Sequence, residues 1–149
     1  GSRPTRQLRL KVEINAAERF AVFGQRLLPY RVSSPWFDGA AEVGTFALEE
    51  LLATKFRALY QRLKGRDLFD LWICLGRGGV DPSRIVEAFR EYMKWEGRSL
   101  TAIEFTRNLD GKLHAPTFQE DLTGLLPLDA KYDAEAAAKL VTRELIARL

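Results

Sequence analysis

The sequence predicts an α+β fold in which a small N-terminal sheet fragment leads into a mainly helical bundle. Three observations carry that prediction. Leu8-Arg9-Leu10-Lys11-Val12-Glu13-Ile14-Asn15 alternates apolar and polar residues strictly, the period of a strand with one buried face. From Leu48 onward apolar residues recur at helical spacing. Capping patterns then punctuate that second part at Asp81-Pro82, at Thr101 with Glu104, at Thr117 with Glu120 and at Asp133. The division falls at residues 1–46, strand and loop, and 47–149, a helical region read as one unit.

The first strand carries Arg9, Lys11, Glu13 and Asn15 on its polar face. A loop-rich stretch follows, with Gly24, Pro29, Ser33-Ser34-Pro35 and Asp38-Gly39, and short strands fit within it at Leu28–Val32 and Val43–Phe46. Leu48, Leu51, Leu52, Phe56, Leu59 and Leu63 then form the apolar stripe of a first helix. Past a junction at Lys64-Gly65, a second helix is apolar nearly all round, through Leu68, Phe69, Leu71, Trp72, Ile73 and Leu75. Gly76, Gly78 and Gly79 end it. Asp81-Pro82 opens a third helix through Ile85, Val86, Phe89, Tyr92 and Met93. Thr101 and Thr117 each have a glutamate three residues on and are read as caps of a fourth and a fifth helix. Asp133 opens the last, with Ala137, Leu140, Val141, Leu145 and Ile146 on one face.

Composition narrows the class. At 149 residues, 46% hydrophobic and 29% charged, the chain suits one soluble globular domain or a large piece of a bigger protein. Gly1-Ser2 reads as the scar of a cleaved fusion tag, and the immediate entry into a strand suggests a chain cut from a longer one. A net charge of +3 and a pI near 9.2 permit a nucleotide or nucleic-acid partner without demanding one. The single cysteine, Cys74, excludes an intrachain disulfide and a Cys-based zinc cage, and suits a reducing cytoplasm. No apolar run approaches a membrane span. Gly76-Arg77-Gly78-Gly79 follows a helix and does not lead into one, so it fails as a phosphate loop.

The informative charges lie where apolar residues are expected. At about 100° per residue, Lys55 falls inside the first helix's stripe between Leu51 and Leu59, with Arg62 about 20° away. Asp67 and Asp70 interrupt the second helix, and since a helix apolar all round is normally buried, the two carboxylates are expected to be buried or to line a cleft. Buried charge is costly unless paired, and a Lys/Arg face beside an Asp/Asp face supplies the pairing. Arg66 stands at the helix start, where a cation opposes the dipole, so an outside anion is expected to hold it. Arg57 points away from the stripe and is read as a solvated surface residue; His114 is read as a surface histidine, Cys74 as a core thiol, and Trp36, Trp72 and Trp95 as core or interface aromatics.

Thr45 through Trp72, with Glu49-Glu50-Leu51, Ala53-Thr54-Lys55 and Arg62-Leu63-Lys64-Gly65-Arg66-Asp67-Leu68-Phe69-Asp70-Leu71-Trp72, closely resembles the late motif of the AbiEii/AbiGii family, nucleotidyltransferase toxins of bacterial toxin–antitoxin and abortive-infection systems. Leu10-Lys11-Val12-Glu13-Ile14 is similar to the Lys-x-Asp/Glu strand that precedes it. The resemblance implies a polymerase-β-like nucleotidyltransferase core with a helical C-terminal region. It further implies transfer of a nucleotide from an NTP to RNA, tRNA in particular, with Mg2+ and a cognate antitoxin. By residue, it places Lys11 and Glu13 on the catalytic sheet, Glu13 beside the metal. Lys55 and Arg62 would face the triphosphate, Asp67 would be the essential late carboxylate, Asp70 would support it, and Arg66 would contact substrate. The family's upstream Gly-Ser turn and Asp-x-Asp pair are not in these 149 residues, so the chain is expected to carry half of an active site and to be inactive alone. Two other readings stand beside this one. The first is a non-catalytic antitoxin- or RNA-binding module of the same descent. The second is a helical domain whose ion pairs are only structural.

Overall fold

The structure, a computed structural model, describes residues 20–126 and 131–149. The strand expected at 8–15 lies outside the described residues. Its successor is a hairpin longer than the two short strands expected from sequence. Strand β1 (Gln25–Ser34) pairs antiparallel with β2 (Phe37–Phe46), Leu28 opposite Val43 and Ser34 opposite Phe37. Ser34 builds the turn: its hydroxyl accepts the Phe37 N–H at 3.1 Å and donates to the Phe37 carbonyl at 3.2 Å. Alternation along the register puts Leu28, Tyr30, Val32, Ala41 and Val43 on one face, and Arg31 with its bidentate partner Asp38 on the other. The hairpin is almost wholly exposed, and Trp36 at its tip is 91% exposed, which removes the core alternative of the two read for it, core or interface.

The helices follow the sequence signals closely. α1 (Leu48–Gln61) carries Glu49 and Glu50 in its first turn. α2 (Gly65–Arg77) ends at Gly78 with φ of 73°, a conformation that glycine adopts at no steric penalty. Asp81 caps α3 (Pro82–Trp95), accepting the Ser83 N–H at 2.8 Å with Pro82 at the first helical position. Thr101 and Glu104 close the expected capping box on α4 (Ala102–Leu113). α5 (Pro116–Gln119) starts two residues earlier than a cap at Thr117 predicts. Pro116 takes the first position and Ala115 precedes it, because proline's fixed φ and missing N–H suit that place. A 3-10 turn at Glu120–Leu122 follows, then α6 (Ala134–Glu144), capped by Asp133, and a closing 3-10 turn at Ile146–Arg148.

α1 packs on α3 and α2, and α2 on α6. At the centre Phe56 stacks on Phe105 with ring centroids 4.4 Å apart and meets Phe89 at 4.7 Å. The buried face of α1 is turned from the expected stripe. Glu50, Leu52, Ala53, Phe56 and Leu59 are buried, whereas Leu48, Leu51 and Leu63 are exposed. The cause is the α3 contact, which draws in the side of α1 that carries Glu50 and Ala53. The Glu50 carboxylate is fully covered there and accepts the Tyr92 hydroxyl at 2.7 Å, together with the backbone N–H groups of Val22 at 2.7 Å and Phe23 at 3.0 Å. Arg57, on the same side, is only 12% exposed. It bonds Glu96 at 3.1 Å and lies 5.0 Å from the Tyr92 ring centroid, so the solvated role read from sequence is wrong.

The Lys64-Gly65 junction is sterically specified. A Cβ on Gly65 would lie 2.2 Å from the carbonyl oxygen of Phe118, so only glycine lets α5 seat against the start of α2. Gly65→Ala therefore lowers the unfolding free energy by about 1–3 kcal/mol in urea denaturation, the range of overpacked sites. Gly76→Ala in the same helix, with nothing within 4 Å of the added Cβ, is neutral or slightly stabilising.

Candidate functional site

Two helix ends and the turn between them supply the site. α1 delivers Lys55 from the edge of its buried face, the chain leaving α1 delivers Arg62 and Lys64, and the first turn and a half of α2 delivers Arg66, Asp67 and Asp70. The Asp67 side chain is fully buried. Its Oδ2 accepts Arg62 Nε at 2.7 Å and its Oδ1 accepts Arg62 Nη2 at 2.7 Å, a bidentate fork. Lys55 Nζ lies 2.8 Å from Asp70 Oδ2 and 3.6 Å from Asp67 Oδ1. Four of the residues singled out from sequence thus meet at one place. Arg66, the fifth, turns to Asp121 instead, and Lys11 and Glu13 lie outside the described residues.

Burial is unequal across the cluster. Asp67 is covered, but Asp70 is 40% exposed, Lys55 38% and Arg62 53%. Of the two carboxylates expected to be buried or to line a cleft, Asp67 is buried and Asp70 is partly exposed, and Lys55 reaches outward from the stripe: one buried carboxylate holds cations that reach outward. Lys55 stands at the border because the face of α1 is turned toward α3. The Asp67 carboxylate holds Arg62 in its charged form, above the ordinary guanidinium range.

The anion expected from outside to hold Arg66 is supplied by this same chain. Asp121 accepts Arg66 Nε at 2.9 Å, Arg66 Nη2 at 2.8 Å, the Arg66 backbone N–H at 3.2 Å and Lys64 Nζ at 3.2 Å. The Arg66 fork, with the Arg66 N–H and Lys64 behind it, holds the Asp121 carboxyl well below the usual carboxylate range.

Lys112 is the other group that sequence reading passed over. From α4 its ammonium donates to the backbone carbonyls of Leu59 and Tyr60, the latter at 2.6 Å. These are among the last carbonyls of α1, which the helix itself cannot satisfy. Burial pushes Lys112 down to about 8, with the nearby charge of Asp67 acting against it. Lys112 was detectable, since it continues the buried row Phe105, Leu109, Lys112 at helical spacing. Asp121 sits in a 3-10 turn with no periodic signal. His114 is exposed, as expected, with its ring 2.8 Å from the Asp110 carbonyl. A groove of about 500 Å3 between α4 and α6, lined in part by Asp110, His114, Glu135 and Arg143, shares no residue with the cluster.

Lys55, Arg62, Asp67 and Asp70 come from the stretch that resembles the AbiEii/AbiGii late motif. The family model of the nucleotidyl transferase AbiEii toxin, type IV TA system, matches residues 2–140. The chain belongs to this AbiEii family. No curated protein and no solved structure gives a match to it. Among the described residues of this AbiEii chain, no group of three or more His, Cys, Asp or Glu side chains could hold a metal ion. Asp67 in particular is committed to Arg62 and Lys55, the wrong environment for a divalent cation.

Two outcomes follow from the geometry. Asp67→Ala lowers the unfolding free energy by roughly 1–3 kcal/mol, above exposed pairs and below fully buried ones, because the cations it releases can hydrate. Lys112 behaves differently with pH. Between its folded value of about 8 and its ordinary 10.5 the unfolded chain binds the extra proton, so its contribution to stability rises with pH. The neutral amine keeps two N–H groups for the two carbonyls. Urea melts on either side of pH 8 show that rise in the wild type and its absence in Lys112→Met.

Proposed function

We propose that this chain is the phosphate-facing part of a toxin nucleotidyltransferase that moves a nucleotide from an NTP to RNA, tRNA in particular, in the cytoplasm, opposed by its cognate antitoxin. The observation that carries this reading is the family match over residues 2–140, together with the cations that Asp67 holds half-exposed. Nucleotide transfer needs little covalent help from protein; it needs positioned positive charge where the phosphates gain negative charge. Arg62 spends two of its five N–H donors on Asp67 and retains the rest for an oxyanion, and Lys55 stands beside it on Asp70. Asp67 itself is a positioning group, since both its oxygens face cations.

Magnesium, which the resemblance implies, does not fit Asp67, whose two oxygens both face cations, and we assign it no step here. Of the residues named from sequence, Glu13 is the one proposed beside it. No Asp-x-Asp occurs in the 149 residues, so we propose that they do not catalyse transfer alone.

The test has two arms. In titration calorimetry the 149-residue chain binds NTP weakly, and Arg62→Ala weakens that binding about tenfold or more, the loss of a charge-assisted fork. Binding unchanged in Arg62→Ala removes the cluster from nucleotide recognition. Incubated with labelled NTP, magnesium and tRNA, the chain alone incorporates no label. A chain that also carries the upstream Asp-x-Asp motif incorporates it and loses it in Lys55→Met. Label incorporated by the 149 residues alone overturns the inactive-half reading.

A further inference from the structure

Asp121, from the 3-10 turn, does for Lys64 and Arg66 what Asp67 does for Arg62 and Lys55. Its carboxylate is 4% exposed, while the two cations on it, Lys64 and Arg66, are 49% and 46% exposed. Pairs that serve stability alone gain little from this arrangement, since the cations stay hydrated and are screened by salt. It does hold two long side chains in a defined place while leaving outward donors: Arg66, like Arg62, engages its carboxylate through Nε and Nη2, which leaves Nη1 uncommitted to it.

The chain builds this second unit deliberately. Gly65 has no side chain to collide with Phe118, whose ring is buried and pins the segment that carries Asp121. The Asp121 Cβ then lies 3.8 Å from where a Gly65 Cβ would be, directly against the helix start. The unit carries two cations and one carboxylate, a net charge of +1. It lies within electrostatic reach of the first, because Arg66 and Asp121 both act on Arg62.

We propose that Lys64 and Arg66, held by Asp121, are a second phosphate-binding pair that takes the backbone of the acceptor RNA, with Asp121 as its positioning residue. Two adjacent cation pairs, one on the buried Asp67 and one on the Asp121 carboxylate that its own cations cover, suit a ligand with phosphates at regular spacing better than they suit one compact triphosphate. The inference rests on the transferase reading only in calling the RNA an acceptor.

The experiment is fluorescence anisotropy of the 149-residue chain with labelled tRNA across a salt series, without NTP. Arg66→Ala weakens binding and reduces the steepness of the salt dependence by about one phosphate contact. Arg66→Lys keeps the charge and loses the fork, so affinity falls while the salt slope stays. Asp121→Asn adds positive charge to the surface. A carboxylate that merely neutralises would leave tighter RNA binding behind, whereas a positioning carboxylate leaves binding several-fold weaker. Tighter or unchanged binding by Asp121→Asn, with the circular dichroism and melting of the wild type, overturns the proposal. Should that variant not fold, unchanged affinity in Arg66→Lys overturns it instead. Loss of NTP binding in Arg66→Ala with tRNA binding intact assigns the pair to the nucleotide and also overturns it. RNA binding that follows these rules in a protein without transferase activity keeps this inference and removes the other.

Discussion

A carboxylate with no exposed surface must be satisfied by partners, and Asp67 sets the terms for everything around it. Fixed in the first turn of α2, it requires cations to arrive from elsewhere, and they arrive from α1 and the residue that caps its end. The exit of the chain at Arg62 and the reach of Lys55 across to α2 both serve that one group. The junction is sealed from a third side by Lys112, which takes the carbonyls that α1 leaves unbonded. Charge and backbone polarity thus converge on a few residues, where apolar packing alone would leave several buried polar groups orphaned.

The same principle separates the two sides of α1. Toward α3, Glu50 is buried and closed, its acceptors filled by Tyr92 and two backbone N–H groups. Toward α2, the carboxylate is buried but its partners are open to solvent. Both arrangements satisfy a covered charge. Only the second leaves positive groups available to a ligand, which is why the helix edge that carries Lys55 differs in chemical use from the edge that carries Glu50.

Much of this was legible in the sequence, for physical reasons. Caps at Asp81, Thr101 and Asp133 are local hydrogen-bond patterns that need no tertiary knowledge, and all three hold. The convergence of Lys55, Arg62, Asp67 and Asp70 was readable because buried charges must pair and these were close along two adjoining helices. What failed depended on distant partners. Two candidate faces of α1 were available, and only α3 decided between them, which misplaced Leu48, Leu51 and Arg57. Asp121 meets Arg66 across 55 positions, and no periodicity links them.

The hairpin's surroundings have a topological consequence. Just before it, Val22 and Phe23 are bonded to Glu50; just after it, Ala47 is buried at the start of α1. Entry and exit are therefore clamped to the same helical turn, and what lies between is an excursion that leaves and returns to one place. Loop closure depends only logarithmically on length, so lengthening, trimming or exchanging that excursion changes little for the helices. The paired strands are a graft on a scaffold that is already closed without them, free to diverge in size while the cation-bearing junction stays as it is.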